Sequence, residues 1–308
     1  MRVPPKSMRL QSLRKMGWVV MGWVTAATAF GAAGWSVATY NVENYTLADR
    51  LVDGVYRKSY PKPERAKAAL RRTLRELGAQ VVVLQEVGGH AFLEELQRDL
   101  HLEGAKYPHA TLVEAADPDR RLALLSQERP VEIRTHTDLS VMYFGAREPV
   151  KRGLLEVTFL RPSGPVTLFA VHLKSRYTDR PDDPQSALRR AAEATVLRDR
   201  ILERCPDPSL RPFVVLGDFN DSRVSRPMRA FLQRGALAIT ILLPATDSRG
   251  EVWTHRYAKE DSYSRVDHIL VSPALYPWIE FGRATIADGA DVAEASDHRP
   301  VVVRILDH

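Results

Sequence analysis

Nine apolar runs rich in β-branched residues recur along the chain. They cover residues 36–42, 81–87, 121–127, 139–144, 154–160, 166–173, 213–219, 266–272 and 300–306. Runs of this length and composition read as strands. Several, such as Val81–Leu84 and Phe213–Leu216, show no polar alternation. A strand apolar on both faces must be covered on both.

Helical periodicity fills the gaps. Residues 61–80 place Leu70, Leu74 and Leu77 on one stripe and stop at Gly78. Residues 90–100 predict a second helix. Residues 183–205 predict a third, with Asp183 as N-cap, Pro184 in the first turn and Ala187, Ala191, Ala194, Leu197 and Ile201 on its apolar face. Residues 225–235 predict a short fourth. Strands and helices do not alternate regularly. The order therefore predicts an α+β fold, two sheets packed face to face with helices outside. No repeat or clean linker interrupts residues 35–308, so they are expected to form one catalytic domain.

The first 34 residues follow another pattern. Arg2, Lys6, Arg9, Arg14 and Lys15 precede an uncharged stretch from Gly17 to Trp35. A basic segment, an apolar segment and small residues around Ala27–Ala33 predict an export signal, or a membrane anchor if the segment is retained. The expected location is periplasmic or extracellular. These residues hold five of the chain's +6 charges and no acid, which leaves +1 for residues 35–308. The overall basicity is thus no argument for nucleic-acid binding, and any basic groove must be local. Cys205 is the sole cysteine. It excludes an intramolecular disulfide and a cysteine-based zinc site, and it reads as a buried apolar residue.

Polar groups gather at the ends of the apolar runs. LGDFND (216–221) sets Asp218, Asn220 and Asp221 directly after FVV, where a buried strand ends. Asn41 and Asn44 end the first run, Glu86 the second, and His172 and Lys174 the one at 166–173. Asp267 and His268 open the run at 266–272, and Asp297 and His298 precede the last. Singly, each has an ordinary explanation: an Asx-turn for Asp218–Asp221, a surface ion pair for Glu86, solvated rim charges for Lys174 and Arg176, packing for His268. Together they match metal-assisted phosphoester cleavage. Mg²⁺ takes oxygen donors and needs only one or two carboxylates. An aspartate can activate water, amides can hold it, and a histidine kept charged by a buried carboxylate can grip a phosphate. Lys174, Arg176, Arg223, Arg226 and Arg265 are candidates for contacting a nucleic-acid backbone.

YNVEN, VVVLQEV, VHLKSR, LGDFND, SRVDHILVS and SDHRPVVV, in this order, resemble the endonuclease/exonuclease/phosphatase, or deoxyribonuclease-I-like, superfamily from about Thr39 to the C-terminus. The resemblance implies a four-layered α/β sandwich and a divalent-metal phosphoesterase using Mg²⁺ or Mn²⁺. It implies Glu86 as main metal ligand with Asn41 and Asp297 nearby, and Asp218 with Asn220 as the water-activating pair. It also implies His172 on the phosphate, Asp267 paired with a catalytic His298, and Lys174, Arg176 and Arg265 toward substrate. The motifs look most like those of secreted bacterial nucleases, which implies a monomeric enzyme with a nucleic-acid substrate. Val171 departs from the pattern, standing where the family motif carries asparagine. The alternatives are a phosphodiesterase for phospholipid head groups or small phosphoesters, with PALYPWIEF (273–281) as a faint membrane-contact candidate, and a non-catalytic binding module.

Overall fold

Two large sheets absorb eight of the nine apolar runs. The computed structural model describes Met1, residues 34–178 and residues 180–307. The expected export or anchor segment, apart from Met1 and Gly34, lies outside the described residues, and both sheets belong to the compact unit Ala32–His308.

Counting only strands of the two large sheets, they are β1 (Gly34–Tyr45), β2 (Val81–Val87), β3 (His109–Leu112), β4 (Arg121–Ser126), β5 (Glu132–His136), β6 (Leu154–Arg161), β7 (Gly164–His172), β8 (Phe213–Asp218), β9 (Ile241–Leu242), β10 (Ala245–Thr246), β11 (Asp267–Val271), β12 (Ala284–Ile286) and β13 (Val301–Leu306). The first sheet has the order β10-β12-β13-β1-β2-β4-β3, the second β9-β11-β8-β7-β6-β5. Pairing is mostly antiparallel. The parallel exceptions are β1 with β2, β7 with β8, and the short β10 with β12. A parallel neighbour needs a crossover. Helix α1 (Glu64–Leu77) lies in the first crossover and α3 (Ala187–Arg204) in the second.

Side-chain alternation then builds the layers. Val37, Val81, Val83, Leu122 and Leu124 of the first sheet meet Val157, Leu168, Val214, Leu216 and Ile269 of the second in one central core. Their sequence neighbours Ala38, Val82, Leu84, Ala123 and Leu125 face outward, under α1 and α2 (His90–Leu102). Phe169, Val171, Phe213 and Val215 face outward on the other side, under α3 and α4 (Arg226–Leu232). Helix, sheet, sheet, helix is the four-layered sandwich the sequence predicts, and it explains why FVV is apolar throughout.

Some expectations are corrected. The run at 139–144 joins neither sheet; Ser140–Tyr143 pairs with Ala146–Pro149 in a hairpin packed against α3. A second hairpin, Leu47–Val52 with Val55–Pro61, was not predicted. Pro184 lies in a separate 3₁₀ turn, Pro184–Ser186, because Gln185 (φ 60°) and Ser186 (φ 52°) are left-handed. Asp183 still caps α3 across that kink, accepting the Leu188 N–H at 2.8 Å and the Arg189 N–H at 3.1 Å.

Candidate active site

The central core changes character at one rim. Along β1 the inward positions run Val37, Thr39, Asn41; along β2, Val81, Val83, Gln85; along β7, Leu168, Ala170, His172; along β8, Val214, Leu216, Asp218. On β11 the inward Ile269 is preceded by Asp267. Register places Asn41 beside Gln85, and His172, Asp218 and Asp267 side by side. Every one of these polar side chains is buried, so each needs a partner.

Asp218 is the junction between the sheets. Its carboxylate accepts from Asn41 Nδ2 across the sandwich at 3.1 Å, from Asn220 Nδ2 at 3.1 Å and from the Asn220 backbone N–H at 2.8 Å. Asn220 is left-handed (φ 53°) and also donates to the Leu173 carbonyl at 3.0 Å. The turn and the chemistry read from LGDFND are therefore one object: an Asx-turn aims the carboxylate. His172 Nε2 stands 3.6 Å from Asp218 Oδ2, and its Nδ1 is buried without a hydrogen-bond partner among the described residues. Asp221 turns away and pairs with Arg190 at 2.9 Å. His268 faces the Asp221 carbonyl at 3.0 Å, the packing role expected of it.

Asp267 and His298 meet at 2.8 Å through His298 Nδ1. Ser296 fixes the loop before β13, donating to the Asn41 carbonyl at 2.8 Å and accepting the His298 N–H at 3.0 Å. Asp297 is exposed at the rim. Glu86 reaches the same end through a bulge. The β1–β2 register shifts between Asn41 and Tyr45, Glu86 is left-handed (φ 67°), and its Oε2 accepts the Asn44 N–H at 2.9 Å. Bulges re-aim side chains in this way.

Environment pushes the titratable groups apart. Burial and the neighbouring Asp267 raise Asp218 to about 7. Burial alone would lower His298, but the charge and hydrogen bond of Asp267, with Asp218 and Asp297, hold it well above the ordinary imidazole value. Burial, then the charges of Arg152 and His298, drive His172 well below it. One imidazole stays a charged donor, the other stays neutral, and a carboxylate between them can take a proton. Such divergence marks acid–base roles.

The expected substrate cations are placed less directly. Lys174 bends its ammonium onto Ser175 and the Tyr177 carbonyl. Arg265 donates to the Leu243 carbonyl at 2.9 Å. Arg176, Arg223 and Arg226 are exposed, and Arg176 reaches the Asn220 carbonyl at 3.4 Å. Val171 faces the α3 layer, so strand alternation points it away from the rim. Two groups were missed in the sequence. His255, in WTHRY, places Nε2 3.6 Å from Asp297 Oδ2. Arg152 is buried, pairs with Asp117 at 3.1 Å, and leaves Nε and Nη1 without partners among the described residues. His255 adjoins none of the nine apolar runs, and Arg152, although just before the run at 154–160, is not one of the acids, amides or imidazoles that mark the other run ends.

The sequence model of the endonuclease/exonuclease/phosphatase family matches residues 38–298. The chain belongs to this family. Family membership carries phosphoester hydrolysis and use of divalent metals as the shared chemistry. No curated protein matches the chain. Among solved structures, a family protein from Bacteroides thetaiotaomicron is similar at TM-score 0.62 and 18% identity, covering 91% of this chain and 100% of that one. Sphingomyelinase C from Streptomyces griseocarneus gives 0.59 and 16%, covering 89% and 99%. The human Nocturnin catalytic domain with bound sulfate gives 0.59 and 15%, covering 89% and 95%. These likenesses establish the shared fold.

The rim residues suit a hard divalent cation. Glu86 and Asp297 offer carboxylates and Asn41 an amide oxygen, while Asn44 Oδ1 is buried without a partner among the described residues. Oxygen donors with few carboxylates are what Mg²⁺ or Mn²⁺ takes.

Proposed function

We propose that this protein is an exported, Mg²⁺-dependent phosphodiesterase, and specifically a nuclease. The observation that supports hydrolysis most directly is the Asp267–His298 pair beside an Asp218 held by two amides. In this reading Asp218 accepts the proton of the attacking water, and Asn220 keeps its carboxylate aimed. His298, charged, donates Nε2–H to a phosphate oxygen, while Asp267 fixes its tautomer and stabilises its charge. Neutral His172 lines the floor beside Asp218. A divalent ion held by Glu86, Asn41 and Asp297 would neutralise charge on the phosphate and departing oxygens.

The nuclease reading is supported by local charge. Arg120, Arg152 and Lys174 act on His172, and Lys151 acts on Lys174, although residues 35–308 carry only +1. A second reading, phospholipid head groups, has its own support. The hairpin 47–61 exposes Leu51, Val55 and Tyr56 next to Arg57 and Lys58, and Arg50 ties its base to the Asn44 and Thr46 carbonyls beside Glu86. PALYPWIEF is no part of that reading. It forms 3₁₀ turns that bridge Ile305, at the end of β13 away from His298, so it cannot bring the rim to a bilayer.

A substrate panel separates the readings. Plasmid DNA, RNA, sphingomyelin and bis-p-nitrophenyl phosphate should be compared with Mg²⁺ and with chelator. We expect metal-dependent cleavage of nucleic acid and a loss on the order of 10²-fold or more in Asp218→Ala and His298→Ala. Turnover of sphingomyelin alone selects the second reading, and turnover of nothing refutes both.

A further inference from the structure

His255 is left over from the mechanism, yet it sits against two residues the mechanism uses. The backbone puts it there. His255 and His298 form a β-bridge, flanked by Arg256 N–H to the Asp297 carbonyl at 2.9 Å and Arg299 N–H to the Thr254 carbonyl at 2.7 Å. Cross-strand neighbours share a face, and the two imidazole centroids lie 4.5 Å apart. His255 Nε2 is 3.6 Å from Asp297 Oδ2, and His298 Nε2 is 4.0 Å from Asp297 Oδ1. One donor atom from each of the three residues fits within 4.8 Å of the others.

We propose that His255, Asp297 and His298 form a binding site for a first-row transition metal of the Zn²⁺ type, which shares Asp297 with the oxygen-donor Mg²⁺ site at Glu86 and Asn41 and differs from it in its two nitrogen donors. Two nitrogens and one carboxylate are a set such ions prefer and Mg²⁺ does not. Three protein ligands with room for solvent is a common open zinc arrangement. With metal–ligand distances of about 2.0–2.2 Å, donors in a tetrahedral site stand roughly 3.4 Å apart. Here His255 Nε2 and His298 Nε2 stand 3.6 and 4.0 Å from the two different oxygens of Asp297, and one donor atom from each residue lies within 4.8 Å of the others, so side-chain rotation must draw the three together around an ion. The outer shell is built as well. His298 Nδ1 is committed to Asp267 at 2.8 Å, the carboxylate–histidine arrangement that orients Nε2 toward a metal.

An ion bound there displaces the Nε2 proton of His298 to solvent and takes the nitrogen that faces the phosphate, so it inhibits hydrolysis. That consequence rests on the proposed role of His298; the binding site does not.

The test uses Co²⁺ as a spectroscopic probe on the full chain in excess Mg²⁺. The wild type should bind one equivalent with intense visible d–d absorption, which Zn²⁺ abolishes. His255→Phe should weaken Co²⁺ binding by about 10–100-fold, while Glu86→Gln leaves the spectrum in place. His255→Gln, with circular dichroism on both variants, separates ligand loss from misfolding. If a folded His255→Phe gives the wild-type spectrum and affinity, His255 only positions Asp297 and the proposal fails. On a cleavable phosphodiester, half-inhibition should need about tenfold more Zn²⁺ in His255→Phe; equal sensitivity overturns the inhibitory role. If no phosphodiester is cleaved, the catalytic reading fails, and the Co²⁺ spectrum still decides the site.

Discussion

Asp267 is the residue on which the two histidines differ. It lies against His298 and holds that ring charged, whereas for His172, two strands farther over and 3.6 Å from Asp218, burial and the charges of Arg152 and His298 prevail and keep the ring neutral. Asp267→Asn keeps a hydrogen-bond acceptor but removes the charge, so it should cut kcat by about 10²-fold or more with a smaller change in KM. A wild-type kcat would show that His298 does not act as a cation. Asp247 steadies the same loop. Burial pushes its carboxyl up, but the hydrogen bond from Arg299 at 2.6 Å, the N–H groups of Glu251 and Arg249 and the Arg249 side chain outweigh that and hold it well below the carboxylate range. A carboxyl depressed by folding contributes stability above about pH 4, where the unfolded chain titrates, and the contribution is lost as pH falls toward the folded value. The urea midpoint of the wild type should therefore drop more between about pH 6 and pH 3 than that of Asp247→Asn. Parallel curves would contradict this account.

At the level of strands, β7 and β8 bring His172 and Asp218 together, and their contact leaves no space. Gly217 pairs with Val171 at φ 146°, and a Cβ there would stand 1.9 Å from the Val171 carbonyl oxygen. Gly217→Ala should destabilise by at least about 1–3 kcal/mol, read by urea denaturation; a change under about 0.5 kcal/mol would mean the pair can separate freely. Such strands were legible in the sequence because both faces are buried, which leaves a continuous apolar run. The hairpin 47–61 was not, since its alternating residues cover nothing and give no burial signal. The edge strand β5 reads EIRTH, too polar to stand out, and β9 and β10 are two residues long, below any period. The site divides in the same way. Asn41, His172 and Asp218 betray themselves as polar residues at the far ends of apolar runs, and Asp267 as one at the start of a run. The 2.8 Å Asp267–His298 contact, the bulge that swings Glu86 and the bridge that seats His255 depend on how separate strands are paired, which local composition does not encode.

Over the whole molecule, charge and assembly set the remaining expectations. A nearly neutral body with Arg120, Lys151 and Lys174 as accessible cations around His172 should bind a polyanion through few phosphates. If DNA is the substrate, log(kcat/KM) should fall with log salt at about −0.9 per phosphate contacted, and Lys151→Ala should flatten that slope by roughly one unit. A rate indifferent to salt would count against a backbone-contacting groove. The topology adds a temporal constraint. β13 lies between β12 and β1, and it is synthesised after every other strand of the sandwich. Until it threads into that gap the first sheet stays split, and the histidine just before it has no fixed seat opposite Asp267. A ribosome-bound chain therefore lacks the Asp267–His298 contact until the closing strand is in place.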